Sequence, residues 1–207
     1  YWGEYNSGGA IRKVSINGGS VTPLTTSGSG QNSMVMNGNY VYFCYWYNYF
    51  SKIGKVDKNG GSVIDLVSIP LWTSNHPVAI AVDSDNVYWV ETSSSMIASG
   101  TVNKVSINGG AITTLATGLN NPQRVVVDSN SVYWTESADG KAGTGAIKKI
   151  SIFGGDVITL ASGLNNPFDI AIDDSYIYWT EKGTSGSDGS IKKLAINPSQ
   201  ITPTLTT

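Results

Sequence analysis

The sequence predicts an all-β chain, a β-propeller of about five four-stranded blades, on three observations. A short aromatic stretch keeps returning: Tyr1-Trp2-Gly3-Glu4, Val41-Tyr42-Phe43-Cys44-Tyr45, Val87-Tyr88-Trp89-Val90-Glu91, Val132-Tyr133-Trp134-Thr135-Glu136 and Ile177-Tyr178-Trp179-Thr180-Glu181. Its Trp position falls at 2, 43, 89, 134 and 179, spacings of 41, 46, 45 and 45, the mark of a repeat architecture. Each repeat also carries four strand-like runs punctuated by turn signals, the rhythm of all-β folds. A four-stranded sheet alone cannot bury two apolar faces, whereas copies stacked around an axis can.

The repeat from about 122 to 166 shows the plan most clearly. Residues 124–128 are a β-branched run suited to a strand buried on both faces. Ser129-Asn130-Ser131 turns the chain into 132–136, and a glycine-rich loop follows to Gly145. Residues 146–152 alternate as a half-buried third strand, Phe153-Gly154-Gly155 turns, and 157–160 form the fourth. The same plan predicts strands at 79–83, 87–91, 101–107 and 112–115, and again at 169–173, 177–181, 190–196 and 201–205. Asn17-Gly18-Gly19, Asn59-Gly60-Gly61 and Asn108-Gly109-Gly110 read as two-residue hairpins with Asn-Gly at positive φ. Asn197-Pro198-Ser199-Gln200 replaces that turn in the last repeat, an atypical terminal copy.

One domain over 1–207 is expected, with repeats at about 1–32, 33–76, 77–121, 122–166 and 167–207. The first repeat begins at its second strand, so the first blade lacks its innermost strand. That suggests a fragment or trimmed chain of a six-bladed or larger propeller. The alternatives are an irregular five-blade ring or an open edge completed by another chain.

A net charge of −2 with 14% charged residues gives no basic field, which argues against nucleic acid or an anionic membrane as partner. No apolar run approaches the roughly 18 residues of a membrane span. Cys44, the only cysteine, rules out an intrachain disulfide and reads as a buried, inert thiol.

The recurring Tyr-Trp-Thr-Glu, the later Ile-x-Lys strand and the Gly-Gly turn together resemble YWTD repeats, the low-density-lipoprotein-receptor class B type. The Asn-Asn-Pro entries at 120–122 and 165–167 bring the chain closest to bacterial secreted versions. Glu136 and Glu181 stand where that family usually has Asp. The resemblance implies a propeller, usually of six blades.

Residues kept in every repeat are read as scaffold. Glu4, Glu91, Glu136 and Glu181 are expected to pair across strands with Lys13, Lys104, Lys149 and Lys193. Asp83, Asp128 and Asp173 should bond the turn after each inner strand, and the Trp and Tyr side chains should pack between blades. Function is sought where copies diverge. One such column starts the inner strands and rings a mouth of the channel: Ser33, Val78 with Ala79, Gln123, Arg124, Phe168 and Asp169, with the single histidine, His76, beside it. The second is an aromatic cluster on a loop, Tyr45, Trp46, Tyr47, Tyr49 and Phe50. No catalytic residue, metal site or cofactor is expected: there is no Ser-His-Asp set, phosphate loop or HExxH pattern, and the mouth offers only Asp169 as an acid. The expectation is a non-catalytic extracellular or cell-surface bacterial protein that binds a protein partner or assembles through an open blade edge. Carbohydrate binding through Trp46 and its neighbours is the alternative, and a metal-dependent hydrolase or lyase a more distant one.

Overall fold

The structure, a computed structural model, describes residues 1–4, 9–26, 29–70, 75–93, 99–183 and 188–196. These residues form eighteen strands in five antiparallel sheets, with sequence order kept inside each. The first sheet is β1 (Trp2–Gly3), β2 (Ile11–Lys13) and β3 (Thr22–Thr25). The second is β4 (Ser29–Asn37), β5 (Tyr40–Tyr47), β6 (Phe50–Asp57) and β7 (Ile64–Pro70). The third is β8 (Asn75–Val82), β9 (Asn86–Ser93), β10 (Gly100–Ser106) and β11 (Thr113–Leu119). The fourth is β12 (Pro122–Val127), β13 (Ser131–Glu136), β14 (Gly145–Ser151) and β15 (Ile158–Leu164). The fifth is β16 (Pro167–Ile172), β17 (Tyr176–Glu181) and β18 (Ser190–Ala195). The fourth strand expected at 201–205 and the turn at 197–200 lie outside the described residues. The inner strands β4, β8, β12 and β16 touch in series, so the sheets stand side by side as propeller blades.

The motif makes the interfaces between blades. Trp89 packs among Tyr42, Cys44 and Ile53 of the preceding blade, Trp134 among Ala79, Tyr88 and Val102, and Trp179 against Tyr133 and Ile147. Burying one such ring removes about 200 Å² from water, worth on the order of 5 kcal/mol before ordering costs. Cys44 is buried, its thiol directed at the Ser33 carbonyl at 3.7 Å.

Each polar motif residue is consumed locally. Asp128 Oδ1 accepts the N–H groups of Asn130 and Ser131, while its Oδ2 accepts the Tyr133 hydroxyl at 2.8 Å. Asp83 and Asp173 repeat this with Tyr88 and Tyr178. Burial and the Asp128 carboxylate together push the Tyr133 hydroxyl up to about 12. On the other face of the strand, the indole N–H groups of Trp89, Trp134 and Trp179 donate to Glu91, Glu136 and Glu181 at 2.7, 2.9 and 3.0 Å.

The expected acid–lysine pairs are corrected by one residue. Lys148 opposes Trp134 in the ladder, so it shares a face with Glu136 and reaches it at 2.9 Å, while Lys149 opposes Tyr133 on the other face. Likewise Lys192 serves Glu181 and Arg12 serves Glu4, at 2.9 and 2.6 Å. Glu91 accepts from Thr101 instead. The other lysine column bridges blades: Lys13, Lys55 and Lys104 donate to the carbonyls of Lys58, Ile107 and Ile152 in the next blade's turn.

Those turns also differ from the expected two-residue hairpins. Gly18, Gly60, Gly109 and Gly154 donate three residues back, to Ser15, Asp57, Ser106 and Ser151. The two glycines, not the preceding Asn, take positive φ. The turn is thus a four-residue β-turn closed by glycine, with a Ser or Asp side chain capping its interior.

Candidate functional site

Because the strands alternate in direction, the β5–β6 turn and the β13–β14 loop lie at the same end as the starts of the inner strands β8, β12 and β16. That end therefore gathers both divergent groups of residues.

Entry to the fourth and fifth blades is built by Asn-Asn-Pro. Asn121 and Asn166 adopt φ of 53° and 55°, a left-handed conformation that asparagine tolerates, and their carbonyls accept the N–H groups of Ser137 and Lys182. The prolines that follow are buried against glycines: a Cβ on Gly145 would collide with Pro167, and one on Gly100 would lie 2.9 Å from Pro122 Cδ.

Immediately after each proline the inner strand bulges. Pro122 pairs with Glu136 and Val125 with Trp134, so Gln123 and Arg124 together oppose Thr135. The shift recurs between Pro167 and Ile170, leaving Phe168 and Asp169 opposite Thr180. A bulge re-aims side chains and frees backbone groups that need partners. Here the motif threonine supplies them. The fully buried Thr135 hydroxyl accepts the Arg124 N–H at 3.2 Å and donates to the Phe168 carbonyl at 2.8 Å, and Thr180 accepts the Asp169 N–H.

The bulges bring Arg124, Phe168 and Lys182 together. Arg124 Cζ lies 4.5 Å and Lys182 Nζ 3.6 Å from the Phe168 ring centroid. Arg124 also donates to the Gln123 carbonyl, and the Gln123 amide bonds Asn121. Asp169 is exposed and does not join them; its Oδ1 accepts the N–H of Ile170. Val78 is half-buried in the third blade's shorter bulge. Ser33 turns inward, its hydroxyl accepting the Ile80 N–H at 3.2 Å. Lys182 was missed by sequence reading; its signal is the variable residue directly after the motif acid, Thr92, Ser137 and Lys182 in successive blades.

The aromatic cluster is a hairpin rather than a loop. β5 and β6 continue as a ladder to Tyr47 opposite Phe50, and Asn48 and Tyr49 turn the chain with φ of 48° and 66°. Positive φ at both central residues is the two-residue geometry that follows strand twist. The ladder divides the five aromatics. Tyr45 is buried against Phe43 between the first two blades, with its hydroxyl donating to Asp65, so it is removed from the exposed patch. It occupies the column held elsewhere by Glu: Phe43 has no indole N–H to satisfy, and Asp65, paired with Lys52 at 2.5 Å, brings in the acid from the next strand but one. Tyr49 is 80% exposed and Tyr47 47% exposed with Lys52 over its ring, whereas Phe50 is half-buried. Trp46 is also half-buried and meets His76 edge-on, centroids 6.4 Å apart. Burial holds the His76 imidazole below its usual range. That contact joins the hairpin to the entry of the third blade.

Among the described residues no three His, Cys, Asp or Glu side chains are grouped to hold a metal ion. Among the described residues no helix is long and apolar enough to cross a membrane, which says nothing of β-barrels.

No family model matches the chain, and no curated protein matches it in sequence. Solved structures match it in shape. A chain of the nidogen/laminin complex aligns with TM-score 0.66 at 18% identity, covering 87% of this chain and 69% of that one. TolB from Acinetobacter baumannii aligns at 0.67 and 12%, over 92% and 47%, and oligogalacturonate lyase in complex with manganese at 0.67 and 10%, over 91% and 56%. The chain is a β-propeller. Identities this low establish that fold and nothing finer, and the chain spans about half the length of the last two propellers.

Proposed function

We propose that this propeller is a non-catalytic extracellular interaction module of the YWTD type, binding a protein partner through the end that carries the 47–50 hairpin and the Arg124–Phe168–Lys182 group. One observation carries the reading. The repeated polar groups of the motif are each bonded inside the blades, while the residues that differ between blades gather at this end, with Tyr47 and Tyr49 exposed. Tyrosine and arginine are enriched among binding hot spots. Sparse charge and abundant Ser, Thr, Gly and Asn suit an extracellular protein.

Lectin activity has less support. Phe168 already has two cations over its ring, and Trp46 is half-buried with His76 edge-on to it. Assembly with a further blade-like surface is favoured by a separate observation. Ile191 is 80% exposed although its counterparts Ile11, Ile53, Val102 and Ile147 are fully buried.

The test displays fragments of extracellular proteins against the purified chain, with a glycan array in parallel. Binders that lose affinity with Tyr49→Ala support the reading. Glycan ligands that depend on Trp46, with no protein ligand, contradict it.

A further inference from the structure

We propose that Arg124 and Lys182 capture a single carboxylate, an Asp or Glu side chain on the partner, with Phe168 as the spacer that holds both cations; this rests on the interaction-module reading above. The two cations share one ring, at 4.5 and 3.6 Å from its centroid, although like charges so close repel. Among the described residues neither forms an ion pair with a carboxylate. Lys13, Lys55 and Lys104 each hold a backbone carbonyl and Lys52, Lys141, Lys148 and Lys192 each hold an acid, while Lys149 and Lys193 each overlie a tyrosine ring singly; among the described residues only Phe168 carries two cations over one ring.

The site is also held in place before anything binds. Thr135, fully buried, ties the Arg124 N–H to the Phe168 carbonyl through one oxygen, fixing the backbones of two blades relative to each other. The Lys182 N–H is fixed by the Asn166 carbonyl. The aromatic ring stabilises each cation without neutralising it. A carboxylate would do the rest, meeting the guanidinium fork with two oxygens and Lys182 with a third contact.

The observations favour one carboxylate on a protein over a polyanion. There are two cations here rather than a stripe, and Asp169 stands exposed beside Phe168, adding a negative charge that disfavours a run of acids.

The experiment pans a displayed library of random dodecapeptides on the full chain. Enriched peptides should share one Asp or Glu, and its change to Asn or Gln should weaken binding by about tenfold or more. Lys182→Ala and Arg124→Ala should each do the same. Lys182 is exposed, so Lys182→Glu keeps the test valid even if Arg124→Ala disturbs the bulge; it should shift preference toward the same peptide carrying Lys in place of the acid. Enriched peptides that lack an acid, or that ignore both Lys182 variants, overturn the carboxylate site and leave the interaction module standing. Failure to enrich any peptide, with or without binding of oligogalacturonate, overturns both.

Discussion

The ammonium group of Lys104 reaches across the blade boundary and donates to the carbonyl of Ile152 at 2.7 Å. Lys13 and Lys55 make the same bond to Lys58 and Ile107, so each lysine ties its blade to the turn of the next. Replacing Lys104 with Met keeps the stem but leaves that carbonyl without its charged donor. A loss of about 1.5–3 kcal/mol is expected in urea unfolding. Lys149→Met, whose ammonium only overlies the Tyr133 ring at 5.8 Å, should cost well under half of that.

Glu136 is 3% exposed and holds both the Trp134 indole and Lys148. Glu136→Ala leaves the indole N–H and a partly buried ammonium without an acceptor, so a loss of about 3–5 kcal/mol is expected. Glu4 stands in the same column, but it and Arg12 have side chains 36% and 33% exposed. Glu4→Ala should cost no more than about 1 kcal/mol. Equal losses in a thermal or urea series would contradict this division between buried and solvated acids.

Gly145 faces the buried proline that opens the fifth blade, and a methyl group there would overlap Pro167 and approach the Glu136 carbonyl at 3.0 Å. Gly145→Ala is expected to destabilise by about 1–3 kcal/mol through overpacking. Pro167→Ala in the same chain should recover part of that loss, which a double-mutant cycle would measure.

Stability should fall on the acid side. Burial raises the Glu181 carboxyl, but the Trp179 indole, Lys192 and the Asn165 N–H outweigh it and leave it below its usual range. The Ser175 N–H, the Tyr178 hydroxyl and the Tyr176 N–H depress Asp173 similarly. Both groups are depressed in the folded state, so their contribution is complete above the unfolded carboxylate values of about 4. It is lost as pH falls from there through the lower folded values. Unfolding followed from pH 7 to pH 2 should show this limb, and Glu181→Gln should flatten it.

Repetition made much of this legible beforehand. Copies of one motif gave the period, the strand count and the structural role of Asp128 and Trp134. What could not be read was set by register. Whether Lys148 or Lys149 faces Glu136 depends on which residue opposes Trp134, a one-residue difference that exchanges the faces of a strand. The bulge at Gln123 and Arg124 was equally hidden, because its partner is a threonine eleven residues on. The hairpin at 47–50 lacked the usual glycine, so Asn48-Tyr49 gave no turn signal and Tyr45 was grouped with side chains that point elsewhere. Lys182 lies next to the motif in sequence, and only the fold carries it to Phe168.

The most direct measurement is a single-substitution scan of the displayed chain, sorted once for folding and once for binding to a selected peptide. If the motif is scaffold, substitutions at Trp89, Trp134, Glu136 and Asp128 reduce folding and binding together. Substitutions at Tyr47, Tyr49, Gln123, Arg124 and Lys182 reduce binding while folding is kept. Motif positions that lose binding but retain folding would contradict that assignment.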